Sequence, residues 1–257
     1  MGRCLIFSIS LACRRGTIQT DIVMAKVERI TSSFGLVLVA AGRGSRFGGG
    51  IPKQFLHLQG EPVYLVALRK FITLVEQAVI VVPENMLGAV NIEITRFSGD
   101  SAETVRIVVA PGGESRHESV LNGLMALDDK CTHVLVHDAA RPFLSAALVA
   151  RVAEATLEYG AAVPLAPVTD TVKMVRNGFI EQTIDRDLLW KAQTPQGSEI
   201  RRLLNTSLEA VKTGFRATDE SILLERGGFK VKAVDGEEGN IKITWKEDLD
   251  RGADDET

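Results

Sequence analysis

Short, mainly apolar runs recur along the chain from residue 35 onward, and most of them are followed by glycine or proline. The clearest runs cover residues 36–40, 78–82, 105–109 and 134–136. A strand with few polar residues on either face is typical of a parallel sheet that helices cover on both sides. These runs therefore predict buried parallel strands and an α/β fold.

The segments between these runs carry the periodicity of helices. Apolar residues at positions 120, 121, 124 and 127 have the spacing of one helix face, and Ser115 with Glu118 forms a capping box just ahead of them. Further helices are predicted at 145–159, 198–213 and 218–226, further strands at 229–234 and 240–244, and a last helix after a capping box at Thr244 and Glu247. This alternation predicts a single doubly wound, mostly parallel sheet.

Residues 167–187 interrupt the alternation. They are rich in Thr, Asp, Lys and Arg, and they contain Asn177-Gly178, a dipeptide typical of a tight β-hairpin turn. We therefore predict a two-stranded β-hairpin arm that protrudes from the sheet. No linker rich in proline or serine divides the chain, so residues 34–257 are predicted to form one domain that includes the arm.

The first 33 residues are interpreted separately as an N-terminal leader. Residues 4–13 form an apolar run that ends before two arginines, and this run is too short to span a bilayer. No small-x-small cleavage site of a signal peptide follows it cleanly. A second methionine, Met24, stands shortly before the first predicted strand. We expect the leader to be disordered or to come from a mis-assigned start codon.

Charge and aromatic content argue against a nucleic-acid-binding protein. The chain has 30 basic and 33 acidic residues, a formal net charge of -3, and only 5% of its residues are aromatic. A chain-wide basic field and an aromatic stacking surface are therefore both disfavoured. We predict neither a nucleic-acid partner nor a membrane partner.

The cysteines indicate a reducing compartment. Cys4, Cys13 and Cys131 are odd in number and widely spaced, so they form no disulfide framework, and free thiols fit a cytoplasmic location. Cys131 with His133 and His137 invites a zinc interpretation, but no further ligands stand at the spacing of a zinc site. We therefore predict no metal site built from protein ligands alone.

The loop after the first strand is the strongest chemical signal in the sequence. Residues 40–53 read Ala-Ala-Gly-Arg-Gly-Ser-Arg-Phe-Gly-Gly-Gly-Ile-Pro-Lys. Small residues let backbone N–H groups approach a phosphate chain, and Arg46 and Lys53 add positive charge. The spacing matches neither G-x-G-x-x-G nor G-x-x-x-x-G-K-[ST]. The combination of strand, glycines and two cations still predicts phosphate binding.

Three further segments are expected at the carboxyl ends of strands, where the site of such a fold belongs. Residues 111–119 (Pro-Gly-Gly-Glu-Ser-Arg-His-Glu-Ser) follow the strand at 105–109, and residues 137–142 (His-Asp-Ala-Ala-Arg-Pro) follow the strand at 134–136. Asn240-Ile-Lys242 places a cation within or beside a late strand. Several polar segments at one edge favour a site over isolated caps and solvated charges.

These motifs, together with Thr194-Pro-Gln196 and Thr218-Asp219, resemble the 2-C-methyl-D-erythritol 4-phosphate cytidylyltransferase family from residue 34 to residue 249. The resemblance implies a Rossmann-like nucleotidyltransferase fold. It also implies an enzyme that transfers CMP from CTP to 2-C-methyl-D-erythritol 4-phosphate (methylerythritol phosphate) in the non-mevalonate isoprenoid pathway. The products would be 4-diphosphocytidyl-2-C-methyl-D-erythritol and pyrophosphate.

Four catalytic residues are implied by the resemblance. Arg46 and Lys53 would stabilise charge near the triphosphate, and Lys242 would lie near the α-phosphate and position the attacking group. Arg186, on the arm, would hold the phosphate of methylerythritol phosphate and would reach over from a second subunit. The resemblance therefore implies a homodimer formed through the arm.

The residues that bind the substrates are implied in the same way. Gly113 and Ser119 would read cytosine, and Asp138 would lie beside the ribose and the substrate. The complete set of expected binding residues is Ala40, Ala41, Gly42, Gly113, Ser119, Asp138, Ala139, Arg141, Thr171 and Thr194. Mg²⁺ or another divalent cation is expected, bound mainly through the phosphates of CTP.

Two other functions stay open at this point. A cytidylyltransferase for another polyol phosphate, such as ribitol 5-phosphate, would share the CTP residues and differ around the arm. A non-catalytic nucleotide-binding regulator could keep the glycine-rich loop, but it would not need all four implied cations together. Phe143, Trp190 and Trp245 are interpreted as packing residues.

Overall fold

The computed structural model describes residues 33–42, 52–100 and 105–249. Within them the strands are β1 Phe34–Val39, β2 His57–Leu58, β3 Glu61–Pro62, β4 Gln77–Val82, β5 Arg106–Pro111, β6 His133–Asp138, β7 Ala161–Pro167, β8 Val172–Arg176, β9 Phe179–Ile184, β10 Trp190–Ala192, β11 Gln196–Glu199 and β12 Lys232–Asp235. The α-helices are α1 Val63–Arg69, α2 Leu87–Asp100, α3 Arg116–Met125, α4 Ala146–Tyr159, α5 Ile200–Thr213 and α6 Glu220–Arg226. Short 3-10 turns cover Lys53–Phe55, Glu84–Met86, Arg186–Leu188 and Lys246–Asp248.

A central sheet, eight-stranded over the described residues, has the order β10-β7-β11-β6-β1-β4-β5, with β12 also paired to β7. β1 pairs in parallel with β4 and β6, and β4 pairs in parallel with β5. β11 is antiparallel to β6, and β10 is antiparallel to β7. The predicted α/β fold with a mostly parallel sheet is confirmed.

Helices cover both faces of this sheet. Leu36 and Leu38 of β1 lie in a buried cluster with residues of α1, α2 and α4. Val37, between them, lies in the cluster on the opposite face with residues of α3, α5 and α6. Because successive residues of a strand point to opposite sides, a strand buried on both faces is mainly apolar. This is why apolar runs located β1, β4 and the centre of β6, whereas β5 is a partly buried edge strand whose run contains the exposed Arg106.

Side-chain caps fix where the helices begin. Ser115 Oγ accepts a hydrogen bond from the N–H of Glu118 at 3.1 Å, and Glu118 Oε2 accepts one from the N–H of Ser115 at 3.2 Å. This reciprocal pair is the predicted capping box, and it starts α3 immediately after the loop that follows β5. Ser145 caps α4 through the N–H of Leu148 at 3.0 Å. A serine cap of this kind stabilises a helix by about 1 kcal/mol.

The predicted hairpin is present as β8 and β9, which form a two-stranded antiparallel sheet separate from the central one. Asn177 and Gly178 at its turn have φ of 51° and 84°, the left-handed values that a tight hairpin turn requires. Most of its side chains are exposed, including Phe179 at 79%. The arm is therefore a feature of the fold, and its role in dimerisation stays a prediction.

The C-terminal predictions need correction. The strand expected at 229–234 is β12, which starts three residues later at Lys232. The strand expected at 240–244 is wrong, because these residues form an extended connection in which Ile243 N–H donates to the carbonyl oxygen of Ala140 at 2.8 Å, beyond the end of β6. Up to Leu249, where the described residues end, the expected last helix is present only as the 3-10 turn Lys246–Asp248, and Asp248, not Glu247, accepts the capping hydrogen bonds from Thr244 N–H and Trp245 N–H.

The aromatic packing prediction is correct for one residue of three. Phe143 packs against the small cluster of Leu58, Val63 and Ile243. Trp190 and Trp245 are instead 52% and 56% exposed.

The proposed leader, residues 1–33, lies outside the described residues apart from Ser33. None of the helices in the described ranges has both the length and the apolar character needed to cross a bilayer.

Candidate active site

The order of the strands reverses beside β1. The chain proceeds from β1 outward to β4 and β5 on one side and returns to β6 on the other side. Loops that leave the carboxyl ends of β1 and β6 therefore diverge, and open α/β sheets bind ligands in the crevice between such loops. Residues 40–42 follow β1 at this crevice, and Asp138 ends β6 beside it.

A pocket of about 260 Å³ lies in this crevice. Its lining combines small residues from the loop after β1, the start of α3, and a group of charged side chains. The residues that line it are Val39, Ala41, Gly42, Lys53, Gln54, Gly113, Glu114, Ser115, Arg116, Ser119, Asp138, Ala140 and Lys242. Small backbone-rich walls with several cations are suited to a phosphate-bearing ligand.

Asp138 is the buried carboxylate of the pocket. Lys242 Nζ lies 2.5 Å from its Oδ2, and Arg116 Nε donates to its Oδ1 at 3.0 Å. Burial alone would raise the pKa of Asp138, but the charges of Arg116 and Lys242 outweigh burial and hold its pKa far below the usual range. The carboxylate is therefore ionised at neutral pH, and it fixes the direction of both cations.

Arg116 has a second carboxylate partner. Its NH1 donates to Glu220 Oε1 at 2.6 Å and its NH2 to Glu220 Oε2 at 3.1 Å, a bidentate pair. Burial opposes the charge on Arg116, but Asp138 and Glu220 more than compensate and raise its pKa above the ordinary value. Gln196 in turn accepts from the backbone N–H of Glu220 at 3.1 Å. The start of α6 is thereby tied to the pocket.

The lysine and glutamine that follow Pro52 hold two loops together. Lys53 Nζ donates to the carbonyl oxygen of Ile243, which anchors the connection that carries Lys242. Gln54 is buried, and its Nε2 donates to the carbonyl oxygens of Ala40 and Gly42 at 2.6 and 2.8 Å. The start of the loop after β1 is therefore fixed through its carbonyl groups and through the N–H of Ala40, which donates to the carbonyl oxygen of Val81 at 2.7 Å.

The loop after β5 approaches the loop after β1 closely. A Cβ atom on Gly112 would lie only 2.4 Å from the Cβ of Ala41, so glycine is required there. Ser119 Oγ accepts from the N–H of Gly113 at 3.1 Å and donates to the carbonyl oxygen of Ser115 at 2.8 Å. The hydroxyl that was expected to read cytosine is thus already used to shape the loop.

A second layer lies behind the pocket. Arg141 NH1 donates to the carbonyl oxygen of Asn240 at 2.7 Å, and Asn240 Nδ2 donates to the carbonyl oxygen of Thr194 at 2.9 Å. Thr194 Oγ1 accepts from the N–H of Asp138 at 3.2 Å. Burial lowers the pKa of Arg141. These contacts bind the connection at 240–244 to the end of β6.

The 2-C-methyl-D-erythritol 4-phosphate cytidylyltransferase (IspD) family model matches residues 34–253 of the chain. The chain belongs to this family. The resemblance inferred from the motifs is therefore confirmed.

Relatives and solved structures agree with the family assignment. The 2-C-methyl-D-erythritol 4-phosphate cytidylyltransferase of Geobacillus thermodenitrificans is 40% identical over 217 residues, which cover 83% of this chain and 92% of the relative. That of Carboxydothermus hydrogenoformans is 38% identical over 219 residues, which cover 84% and 92%. The crystal structure of the Francisella tularensis cytidylyltransferase superimposes with a TM-score of 0.71 at 31% identity, covering 86% of this chain and 99% of that one.

The cytidylyltransferase residues expected from the sequence fall into four groups, the last of which lies on the arm. Those that line the pocket are Ala41, Gly42, Lys53, Gly113, Ser119, Asp138 and Lys242. Those that lie beside or behind it, bonded to its wall, are Ala40, Ala139, Arg141 and Thr194. Arg46 lies outside the described residues. The catalytic and binding roles of all these residues stay predictions.

Arg186 and Thr171 belong to the arm, not to the pocket wall. Arg186 begins the 3-10 turn after β9, and its NH1 donates to the carbonyl oxygen of Thr169 at 2.5 Å. Thr171 directly precedes β8. Within the described part of this chain, neither residue lines the pocket.

Three residues of the site received no role from the sequence. Arg116 and Gln54 stand inside motifs that were recognised, so their positions were visible but their partners were not. Glu220 directly follows Thr218-Asp219, and it pairs with an arginine 104 residues away in the chain. No local sequence pattern indicates a pairing between residues so far apart in the chain.

The zinc interpretation finds no support in the described ranges, where no three His, Cys, Asp or Glu side chains are grouped to hold a metal ion. Burial raises the pKa of Cys131 to about 11, so its thiol stays protonated at neutral pH. His133 packs against Phe34 with ring centroids 5.2 Å apart.

Proposed function

We propose that this protein transfers CMP from CTP to methylerythritol phosphate, giving 4-diphosphocytidyl-2-C-methyl-D-erythritol and pyrophosphate in non-mevalonate isoprenoid biosynthesis. The observation that carries the proposal is the cation-lined pocket at the carboxyl edge of β1 and β6 in a chain of this family. Lys53, Arg116 and Lys242 all line it. Such a pocket is suited to a reaction between two phosphate-bearing substrates.

The reaction needs positioning and charge stabilisation more than acid–base chemistry. A phosphate oxygen of methylerythritol phosphate forms a bond to the α-phosphorus of CTP, and the bond from that phosphorus to the oxygen of the β-phosphate breaks. Pyrophosphate leaves with the electron pair. Because the attacking phosphate is already ionised at neutral pH, no general base is required, and the protein supplies orientation and compensating positive charge.

Lys242 is proposed to stabilise the charge that develops on the α-phosphate. Its ammonium group is held 2.5 Å from Asp138 Oδ2, so it is oriented before the substrates bind. Preorganised charges of this kind reduce the reorganisation needed at the transition state. Lys53, on the neighbouring loop, and Arg46 are proposed to bind the triphosphate and the leaving pyrophosphate.

The cytidine is proposed to bind between residues 40–42 and the loop at 112–114. Gln54 and Ser119 hold these two loops in place, which leaves backbone groups as the main contacts to cytosine. Ala139 and Arg141 would flank the ribose and the acceptor, as the resemblance implies.

Mg²⁺ or another divalent cation is proposed to accompany CTP. Asp138 is the buried carboxylate in the pocket, and both of its oxygens already have cationic partners. Because both oxygens are engaged in this way, the arrangement fits an ion that would be bound mainly through the phosphates of CTP. The ion would withdraw charge from the phosphate oxygens when bound.

A homodimer formed through the arm is proposed to complete the site. Phe179 and Ile180 of β9 and Leu188 of the 3-10 turn that follows are 79%, 66% and 81% exposed, so large apolar side chains cluster at the surface here. Arg186 and Thr171 lie on the same arm and would reach the partner's pocket to hold the phosphate of methylerythritol phosphate.

A buried free thiol at Cys131 supports a cytoplasmic location for the enzyme.

A competition experiment tests the acceptor. The full-length protein is incubated with CTP, Mg²⁺ and equimolar methylerythritol phosphate and ribitol 5-phosphate, and the CDP-linked products are separated by mass spectrometry. We expect the methylerythritol adduct to dominate. Dominance of the ribitol adduct would keep the mechanism and change the pathway, and no adduct with either acceptor would favour a nucleotide-binding regulator.

A further inference from the structure

His137 is a buried titratable group to which the proposed reaction gives no part. Its side chain is fully buried, and its ring packs against Phe71 with centroids 5.0 Å apart. Both ring nitrogens nevertheless have polar partners. Nδ1 lies 2.9 Å from Thr194 Oγ1, and Nε2 lies 3.0 Å from the carbonyl oxygen of Arg141.

The directions of these hydrogen bonds follow from what each partner can do. The carbonyl oxygen of Arg141 only accepts, so Nε2 has to carry a hydrogen. The N–H of Asp138 donates to one lone pair of Thr194 Oγ1 at 3.2 Å, so the hydroxyl hydrogen of Thr194 is available for Nδ1. A neutral imidazole with its hydrogen on Nε2 satisfies every donor and acceptor in this sequence of contacts.

The contacts connect the residues that form the site. They run from the N–H of Asp138 through Thr194 and His137 to the carbonyl oxygen of Arg141. The Arg141 guanidinium then donates to Asn240, and Asn240 donates back to the carbonyl oxygen of Thr194, which closes the network. Displacement of any member would therefore move the turn from Asp138 to Arg141.

We propose that His137 is a positioning residue: its neutral ring accepts the hydroxyl hydrogen of Thr194, which fixes that hydroxyl so that its oxygen accepts from the N–H of Asp138 and holds the backbone there. The link to catalysis rests on the function proposed above. Asp138 orients Lys242 and Arg116, so a shift of its backbone would misplace both cations.

The electrostatic surroundings support the neutral state. Burial lowers the pKa of His137 to about 4, and the charges of Arg141 and Arg116 act in the same direction. The hydrogen bond to Arg141 and the charge of Asp138 oppose this effect, but they do not overcome it. An imidazole that is neutral at the pH of the cell serves as a fixed hydrogen-bond bridge and not as a proton carrier.

Nitrogen NMR tests the bridge without any turnover. Long-range ¹H–¹⁵N spectra of the ¹⁵N-labelled full-length protein distinguish protonated from bare imidazole nitrogens, and the His137 signals are assigned by their loss in His137→Gln. We expect a protonated Nε2 and a bare Nδ1 between about pH 6 and pH 8. An imidazolium, or a hydrogen on Nδ1, would overturn the proposal.

A matched pair of variants tests the link to catalysis. Thr194→Val removes the hydroxyl at nearly constant shape, and Thr194→Ser keeps it. We expect Thr194→Val to lower kcat/KM by about tenfold to a hundredfold and to shift the Nδ1 resonance of His137, and we expect Thr194→Ser to restore both. Full activity in Thr194→Val, or lost activity with an unshifted Nδ1 resonance, would overturn the proposal.

The two tests separate this inference from the reaction itself. A wild-type protein that transfers no CMP to either acceptor would count against the proposed function. The imidazole state measured on that same wild-type sample would still decide whether the bridge exists, also if Thr194→Val fails to fold.

Discussion

Arg116 shows at the residue scale how two carboxylates hold one cation at a site. Asp138 and Glu220 contact it from different elements, so the guanidinium has little freedom to turn. Glu220 is 2% exposed. Removal of its charge would leave the Arg116 guanidinium with only one of its two compensating negative charges. The pair therefore couples the start of α6 to the pocket.

Glu220→Gln tests this coupling. The variant keeps the shape of the side chain and removes its charge, so we expect the free energy of unfolding to fall by about 1–3 kcal/mol. We also expect kcat/KM for CTP to fall about tenfold, because Arg116 would reorient. Urea unfolding and steady-state kinetics measure both effects. Glu225→Gln, at an exposed position of the same helix, is the control and should change neither. Unchanged kinetics in Glu220→Gln would contradict the coupling.

His137 gives the stability of the protein a defined pH dependence. Its pKa is lowered from 6.5 to about 4 in the folded protein, mainly by burial, so the unfolded chain takes up the proton first as the pH falls. The stability due to this group is complete above about pH 6.5 and decreases by about 3 kcal/mol on the way down to pH 4.

Urea unfolding at a series of pH values measures this decrease. In His137→Gln the corresponding part of the slope should be missing, so the difference in unfolding free energy between wild type and variant should shrink between pH 6.5 and 4. Parallel pH profiles for the two proteins would show that His137 is not neutralised by folding.

Sequence motifs located individual site residues better than their partners. Lys53, Asp138 and Lys242 were recognisable because each stands in a short motif of the family. The contact between Asp138 and Lys242 joins residues 104 positions apart, as does the contact between Arg116 and Glu220. Such pairs depend on which strands become neighbours in the sheet, and local spacing carries no information about that.

At the scale of elements, most of the strands that were predicted well are buried on both faces. β1, β4 and the centre of β6 are recognisable because burial on both faces excludes most polar residues, and β5 is a partly buried edge strand with a mainly apolar run. The connection at 240–244 was mistaken for a strand, because Asn-Ile-Lys-Ile-Thr alternates as a strand does. Its N–H and C=O groups bond to the loop after β6 and to Lys53 instead of to a neighbouring strand. Alternation of apolar and polar residues indicates which side of a segment is buried, but it does not identify the partners of the segment's backbone hydrogen bonds.

The arm is the element that tests the proposed dimer. Phe179→Ser combined with Ile180→Ser removes two exposed apolar side chains from β9, so we expect a dimeric wild type to become monomeric with an unchanged circular dichroism spectrum. We also expect the variant to lose CMP transfer, because Arg186 would no longer reach a partner's pocket. Light scattering coupled to gel filtration gives the masses.

Ile92→Ser is the matched control for the arm variant. Ile92 is 59% exposed on α2, so its replacement removes comparable apolar surface away from the arm. The control should stay dimeric. A monomeric wild type, or an arm variant that stays dimeric, would refute the arm-mediated dimer.

At the scale of the whole molecule, a chain of net charge -3 presents a local concentration of cations. Lys53, Arg116 and Lys242 line one pocket, and buried Asp138 holds two of them there. A negative net charge does not attract anionic substrates over long distances, so net charge does not explain how they bind. Binding depends on where the fold places a few charges, and the sheet reversal beside β1 determines that placement.

The central claim is that CMP transfer depends on the cations that the fold places in the pocket. Pyrophosphate release by the wild-type protein and by Lys242→Gln, assayed side by side, tests this claim most directly. With CTP and Mg²⁺ the wild type should release pyrophosphate only when methylerythritol phosphate is present. Lys242→Gln should be slower by about a hundredfold or more, because a preorganised charge at the α-phosphate is lost. No release by the wild type, release that does not depend on the acceptor, or an undiminished rate in Lys242→Gln would contradict it.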